Sequence, residues 1–164
     1  MLMRNNRGFA LIELIIVAFI MALLTAGVSI GYGILTNSKC RLASKKIANA
    51  LELVRIENMT KKSTYSMTIT QSIDGEYDLN ILCDGEIISS EKLKLKSGCI
   101  RYETSDNKTI KVNGSDKLEI TFRKDTGAVK ENSSKQLITG IRVEGEKNSI
   151  IIRLATATGK LFFE

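Results

Sequence analysis

No histidine occurs in the 164 residues, and tryptophan and proline are missing as well. Without histidine the chain lacks the commonest general base, the commonest transition-metal ligand and any Ser-His-Asp triad. Without proline, turns must rest on Gly, Asn, Asp and Ser. The three cysteines, Cys40, Cys83 and Cys99, form no CxxC pair, which argues against a zinc site or a thioredoxin-type centre. Two readings of them stand: Cys83 and Cys99 bridge two strands in an oxidising exterior and leave Cys40 odd, or all three are buried thiols that behave as small hydrophobes. No nucleophile has a base of the right kind, and no phosphate-binding loop is present. The sequence therefore reads as a non-enzyme with no catalytic site, no cofactor and no metal. Lys plus Arg exceeds Asp plus Glu by 24 − 18 = 6. That mild excess fits a solvated surface as well as an anionic partner.

What the chain does have is an apolar run. Residues 1–8, MLMRNNRG, are short and basic, with Arg4 and Arg7 as leader charges. Phe9 to Ile30 then gives 22 residues whose only charge is Glu13. As a helix this run is ~33 Å long, about one hydrocarbon thickness, which predicts a transmembrane helix over 9–30. The leader arginines place its N-terminal end in the cytoplasm and the remainder outside. An ordinary secretory signal peptide is the rival reading, with Thr25-Ala26-Gly27 as the cleavage site. Its apolar region is normally ~7–15 residues, shorter than this run.

From Asn37 to Lys61 the pattern is amphipathic. Cys40, Ala43, Ile47, Ala50 and Val54 recur at spacings of three and four, with Leu51 beside them, while Arg41, Lys45, Lys46, Glu52, Arg55 and Glu57 take other faces. Gly27, Gly31 and Gly33 each lower helix propensity by about 1 kcal/mol, which predicts a soft joint between the two helical stretches. After Lys62 the period changes to two. Strands are expected near 65–70, 77–82, 86–88, 100–103, 109–112, 118–122, 138–143, 150–155 and 160–163, with hairpin turns at Asp74-Gly75 and Asp84-Gly85. The expected fold class is α+β: a long N-terminal helix packed through its second half on a C-terminal antiparallel sheet. The organisation reads as a leader over 1–8, a membrane segment over 9–30, an amphipathic helix over 31–62 and an extracytoplasmic β-rich domain over 63–164.

The segment Arg7-Gly8-Phe9-Ala10-Leu11-Ile12-Glu13-Leu14 resembles the class III signal of type IV prepilins and pseudopilins. In that family a basic leader ends in Gly, a prepilin peptidase cuts after it, the new N-terminal Phe is N-methylated, and the fifth residue after the cut is Glu. The resemblance covers residues 4–30. It implies cleavage between Gly8 and Phe9, methylation of Phe9, and an assembly role for Glu13. Ionisable groups inside a span are rare and usually pair or mark function. The amine freed on Phe9 of one subunit can neutralise Glu13 of a neighbour, and the pair would set axial stagger as a lone polar residue sets register in a coiled coil. The alternative is a carboxylate snorkelling to the headgroups, since Glu13 lies ~6 Å from the new end. The small and apolar faces of the run fit helix–helix packing. Many major pilins carry proline in this stretch. Its lack here points to a minor pilin, a priming, tip or low-copy subunit. Ala10 replaces the family's common Thr, and Ala22 stands where many pilins have Gly. The tail, with Leu118–Phe122, Asp125-Thr126-Gly127, Ile150–Leu154 and Thr158-Gly159-Lys160-Leu161, is similar to minor pseudopilins related to type II secretion tip subunits.

The partners implied are other pilins or pseudopilins, the prepilin peptidase, the membrane and an inner-membrane assembly platform. The implied location is a single-pass cell-membrane protein, then a pilus or pseudopilus at the cell surface. Rival functions are an adhesive or DNA-binding subunit of a competence pilus, and an exported soluble protein. Lys92, Lys94 and Lys96 alternate and share one face, where they could meet DNA phosphates or guard an edge strand against aggregation. Asp74, Asp84, Asp106, Asp116 and Asp125 form no EF-hand ladder and read as turn residues. Asn58, Asn107, Asn113 and Asn132 head Asn-x-Ser/Thr triplets of the kind that arise by chance in an Asn-rich chain.

Overall fold

The computed structural model describes residues 7–95, 98–132, 135–146 and 148–164, except for the side chains of residues 7–11 and 24–37. It divides into two compact units, Met1–Leu35 and Thr36–Glu164. A single helix, α1 (Arg7–Thr60), is followed by nine strands. These are β1 (Tyr65–Gln71), β2 (Tyr77–Cys83), β3 (Glu86–Leu93), β4 (Cys99–Thr104), β5 (Thr109–Lys111), β6 (Leu118–Thr121), β7 (Ile138–Glu144), β8 (Ser149–Leu154) and β9 (Leu161–Phe163).

The fold is α+β, but the strands make two antiparallel sheets where one was expected. One is four-stranded in the order β3-β2-β1-β6, and the other five-stranded in the order β5-β4-β7-β8-β9. Alternation and turn residues reveal each hairpin locally. They do not reveal that β6 returns to β1, or that β4 leaves β3 to pair with β7. The changeover between sheets passes Gly98, where a Cβ would lie 2.3 Å from the carbonyl oxygen of Glu144. Only glycine fits that approach.

The expected joint at Gly27, Gly31 and Gly33 is not a break. All three residues keep helical backbone within α1. Glycine weakens a helix by loss of entropy, yet its N–H and C=O still complete the i→i−4 ladder.

The second half of α1 supplies one wall of the core. Cys40, Ala43, Ile47, Ala50, Leu51 and Val54, the stripe read from the sequence, are all buried, with Ala48 beside them. Against them pack the inward positions of both sheets: Tyr65, Met67 and Ile69 of β1, Tyr77, Leu79 and Ile81 of β2, and Ile141, Val143, Ile152 and Leu154 of β7 and β8. The period of two in each strand puts these residues on one face. Burial of a Leu or Ile side chain contributes about 1.5–3 kcal/mol, so this stripe fixes how the Thr36–Glu164 unit folds.

Turn chemistry follows the residues. Asp84 and Gly85 both have positive φ, 51° and 94°, as a two-residue type I′ hairpin requires. The Asp84 carboxylate accepts the Thr64 N–H at 2.8 Å, and this bond holds its pKa below the usual carboxylate range. Gly75, at φ 77°, donates to the Ser72 carbonyl at 2.9 Å and closes the first hairpin.

Candidate assembly site

The residues singled out for assembly lie at the start of α1. Arg4 falls outside the described residues. Arg7, Gly8 and Phe9 lie in the helical backbone of α1. Glu13 is exposed, and every described neighbour on the same turns is an exposed apolar residue: Ile12, Leu14, Ile15, Ile16 and Val17. From residue 12 to residue 23 no side chain is buried. Within this chain the segment thus offers apolar surface on all sides with one carboxylate set into it. A helix that is apolar all round belongs in an apolar surrounding. Among the described residues no helix is long and apolar enough to cross a membrane; the described side chains of this first half stop at residue 23.

The Thr36–Glu164 unit is anchored at the far end of the same helix. Asn58 continues the buried stripe one turn beyond Val54 and is 1% exposed. Its amide donates to the carbonyl oxygens of Val54 at 2.9 Å and Tyr65 at 2.6 Å, and its own oxygen accepts the Tyr65 N–H at 3.0 Å. One buried side chain thereby satisfies both backbone groups of the first residue of β1 and ties that strand to the helix end. Its place in an Asn-x-Thr triplet carries no role, since the side chain is enclosed. The signal available in the sequence was a polar residue four positions after Val54 on an otherwise apolar stripe.

Two glycine turns meet the same helix. Gly127 and Gly159, both with positive φ, pack against Arg55, whose Nε donates to the Gly127 carbonyl at 3.4 Å. A Cβ on Gly159 would lie 2.1 Å from the Gly127 carbonyl oxygen. The Asp125-Thr126-Gly127 and Thr158-Gly159 turns read from the tail are thus one junction against α1.

The remaining candidates are placed apart. Cys83 and Cys99 are not joined; both are free thiols, and the bridge is corrected on that ground. Cys83 ends β2 in the four-stranded sheet and pairs with Tyr65, while Cys99 opens β4 in the five-stranded sheet and pairs with Glu144. Cys99 donates to Glu144 at 2.9 Å, and burial followed by that carboxylate pushes its thiol pKa up. Cys40 donates to the Val143 carbonyl at 3.3 Å, and burial raises its pKa as well. Lys92 and Lys94 are exposed on either side of buried Leu93, and Lys92 lies 3.9 Å from Glu76. Lys96 falls outside the described residues. Asp116 and Asp125 serve turns, accepting from Asn113 at 3.1 Å and from the Thr126 N–H at 2.9 Å, while Asp106 accepts from Gln136, 30 residues away, at 2.9 Å.

Sequence reasoning missed the charge cluster on the outer face of the five-stranded sheet. Glu103 of β4 accepts from Arg142 of β7 at 2.9 Å and Arg153 of β8 at 2.5 Å. The Arg142 hydrogen bond, ahead of the Arg153 charge, holds the Glu103 carboxyl below its ordinary pKa. Only the strand register brings these three together, since Gly140 stands opposite both Glu103 and Arg153.

No curated protein and no solved structure matches the chain. The family model described as the prokaryotic N-terminal methylation motif matches residues 3–29, a span that includes Gly8, Phe9 and Glu13, so the chain carries a class III signal of the type IV pilin kind.

Proposed function

We propose that this chain is a minor pilin or pseudopilin subunit. Its precursor is held in the membrane by residues 9–30, with the leader in the cytoplasm and residues 63–164 outside. A prepilin peptidase cuts after Gly8, Phe9 is methylated, and the subunit joins a type IV pilus or a related secretion or competence pseudopilus at low copy, as a primer or tip component. In this reading the chain is the substrate of an enzyme and performs no catalysis of its own. Other pilins and the inner-membrane platform are its partners.

The observation that carries the proposal is the methylation-motif match over residues 3–29. The exposed apolar surface around Glu13 supports it, because that surface and that charge both need partners outside the chain. In a filament the neighbour's Phe9 amine meets Glu13, and the two charges neutralise each other among apolar helices.

The test is an intact mass and N-terminal peptide analysis of the protein from its native membranes. A terminus at methylated Phe9 is expected. An uncut chain, or one beginning near Gly27, would overturn the proposal.

A further inference from the structure

The two sheets meet α1 along two seams, and the cavity at the seam of the four-stranded sheet, about 190 Å³, is the smaller. On the side of the four-stranded sheet, Lys46 of α1 forms an ion pair with Glu91 of the edge strand β3. That edge also carries a bulge opposite Ile81 and Leu82, a common protection against strand pairing. On the side of the five-stranded sheet, a groove of about 920 Å³ runs between α1 and the edge strand β9. Its volume is in the range of sites that enclose a ligand.

The walls of this groove have a definite chemistry. Leu161 and Phe163 stand opposite Leu154 and Ile152, both buried, so they lie on the helix side of the sheet. Facing them on α1 are small side chains, Ser44 and Ala48. Arg41, Lys45 and Lys160 are exposed at the margins, against one carboxylate, Glu52. The backbone of β9 is open on the same side. Ile151 and Glu164 exchange N–H···O bonds at 3.0 and 2.9 Å. By antiparallel alternation Phe162 also bonds towards β8, and the N–H and C=O groups of Leu161 and Phe163 point away from it. Among the described residues nothing pairs with that edge.

We propose that the groove receives an extended segment of a partner protein, which adds to β9 as a sixth strand. Main-chain hydrogen bonds to Leu161 and Phe163 supply the affinity, and side chains set into the groove supply the choice of partner. The charge balance fixes the class of segment: apolar side chains over Phe163 and Ala48, and acidic ones towards Arg41, Lys45 and Lys160. Because β9 is only three residues long, the docked segment is short. The inference does not depend on how the N-terminus is processed.

The experiment uses the full chain in detergent micelles and a labelled, end-blocked pentapeptide, Glu-Thr-Val-Thr-Glu, whose valine and two glutamates share one face of a strand. Saturable binding is expected by fluorescence anisotropy, with slowed amide exchange at Leu161 and Phe163. Phe163→Ser and Lys45→Glu, both at exposed positions, should each weaken binding by about tenfold while the melting of the chain is unchanged. A peptide N-methylated on its backbone should not bind. The proposal fails if no saturable binding occurs, if binding leaves both amides unprotected, or if the same peptide with lysine in place of each glutamate binds equally well. It also fails if amide protection arises from concentration alone, which would make a second copy the occupant, or if only a single-stranded oligonucleotide binds.

Discussion

The two halves of α1 differ in composition and have opposite dependences. Residues 12–23 expose every side chain, while Cys40 to Asn58 bury a full stripe against two sheets. The second half is completed by its own chain; the first half is covered by nothing among the described residues. The difference is visible in the pattern. Apolar residues on all faces of a helix cannot be satisfied by a sheet on one side. A stripe with a period of 3.6 can.

The sharpest way to break this comparison is to make the same deletion in each half. Leu51→Ala removes a side chain with 0% exposure and should cost about 2–5 kcal/mol of stability. Ile16→Ala, at 53% exposure, should change the unfolding of the Thr36–Glu164 unit by no more than about 0.5 kcal/mol. Tyrosine fluorescence during urea unfolding measures both. Three of the four tyrosines, Tyr65, Tyr77 and Tyr102, are buried in this unit, and there is no tryptophan to obscure them. Equal losses in the two variants would mean that the first half also serves the fold.

Asn58 is the next lever, since it joins the helix end to the first strand. Asn58→Ala leaves the buried N–H and C=O of Tyr65 without their side-chain partner and should cost about 2–4 kcal/mol. Native-state hydrogen exchange should show the loss first at Tyr65 and the start of β1. Wild-type protection there in the variant would show that water replaces the amide.

Much of this architecture was legible in the sequence, and the parts that were not share a cause. Eight of the nine expected strands lie within one residue of their expected limits, and β3 runs on to Leu93 from an expected end at Ile88, because alternation and Asp-Gly turns are local signals. The stripe from Cys40 to Val54 was equally readable. The split into two sheets, the Glu103 cluster and the groove beside β9 were not, because each depends on pairing between strands far apart in the chain. Glu103 and Arg153 are 50 residues apart and meet only through the β4–β7–β8 register. The candidate bridge between Cys83 and Cys99 erred for the same reason: two cysteines near strand ends give no sign of which ends lie together. Of the candidate assembly site, the motif itself was fully legible, since it is a linear signal and needs no fold.

The Glu103 cluster extends the comparison to pH. Its carboxyl has a folded pKa below the unfolded value, so the stability it contributes is present above the ordinary glutamate range. That stability is lost as pH falls through the depressed folded pKa. Unfolding midpoints should therefore decline on acidification in the wild type and decline less steeply in Glu103→Gln. Parallel pH profiles for the two proteins would remove Glu103 from the acid response.

The smallest effect on stability is expected where the functional effect is greatest. Glu13 is exposed and belongs to the half of α1 that the fold does not use, so Glu13→Leu should leave unfolding of the Thr36–Glu164 unit within about 0.5 kcal/mol of wild type. Leucine also makes the apolar run more uniform, so membrane insertion and cleavage after Gly8 should persist. In the proposed pairing the variant lacks a partner for the neighbouring subunit's Phe9 amine, and with it the charge that would fix axial stagger. Incorporation into filaments, measured by immunoblot of sheared surface fractions against processed protein in the membrane, should fall sharply. Glu13→Asp tests register more finely, because it keeps the charge and shortens its reach by one methylene. If the pair sets the stagger, Asp should restore part of the incorporation that Leu loses. If Leu and Asp assemble equally well, Glu13 is a snorkelling carboxylate and the two halves of α1 differ only in what covers their apolar surface.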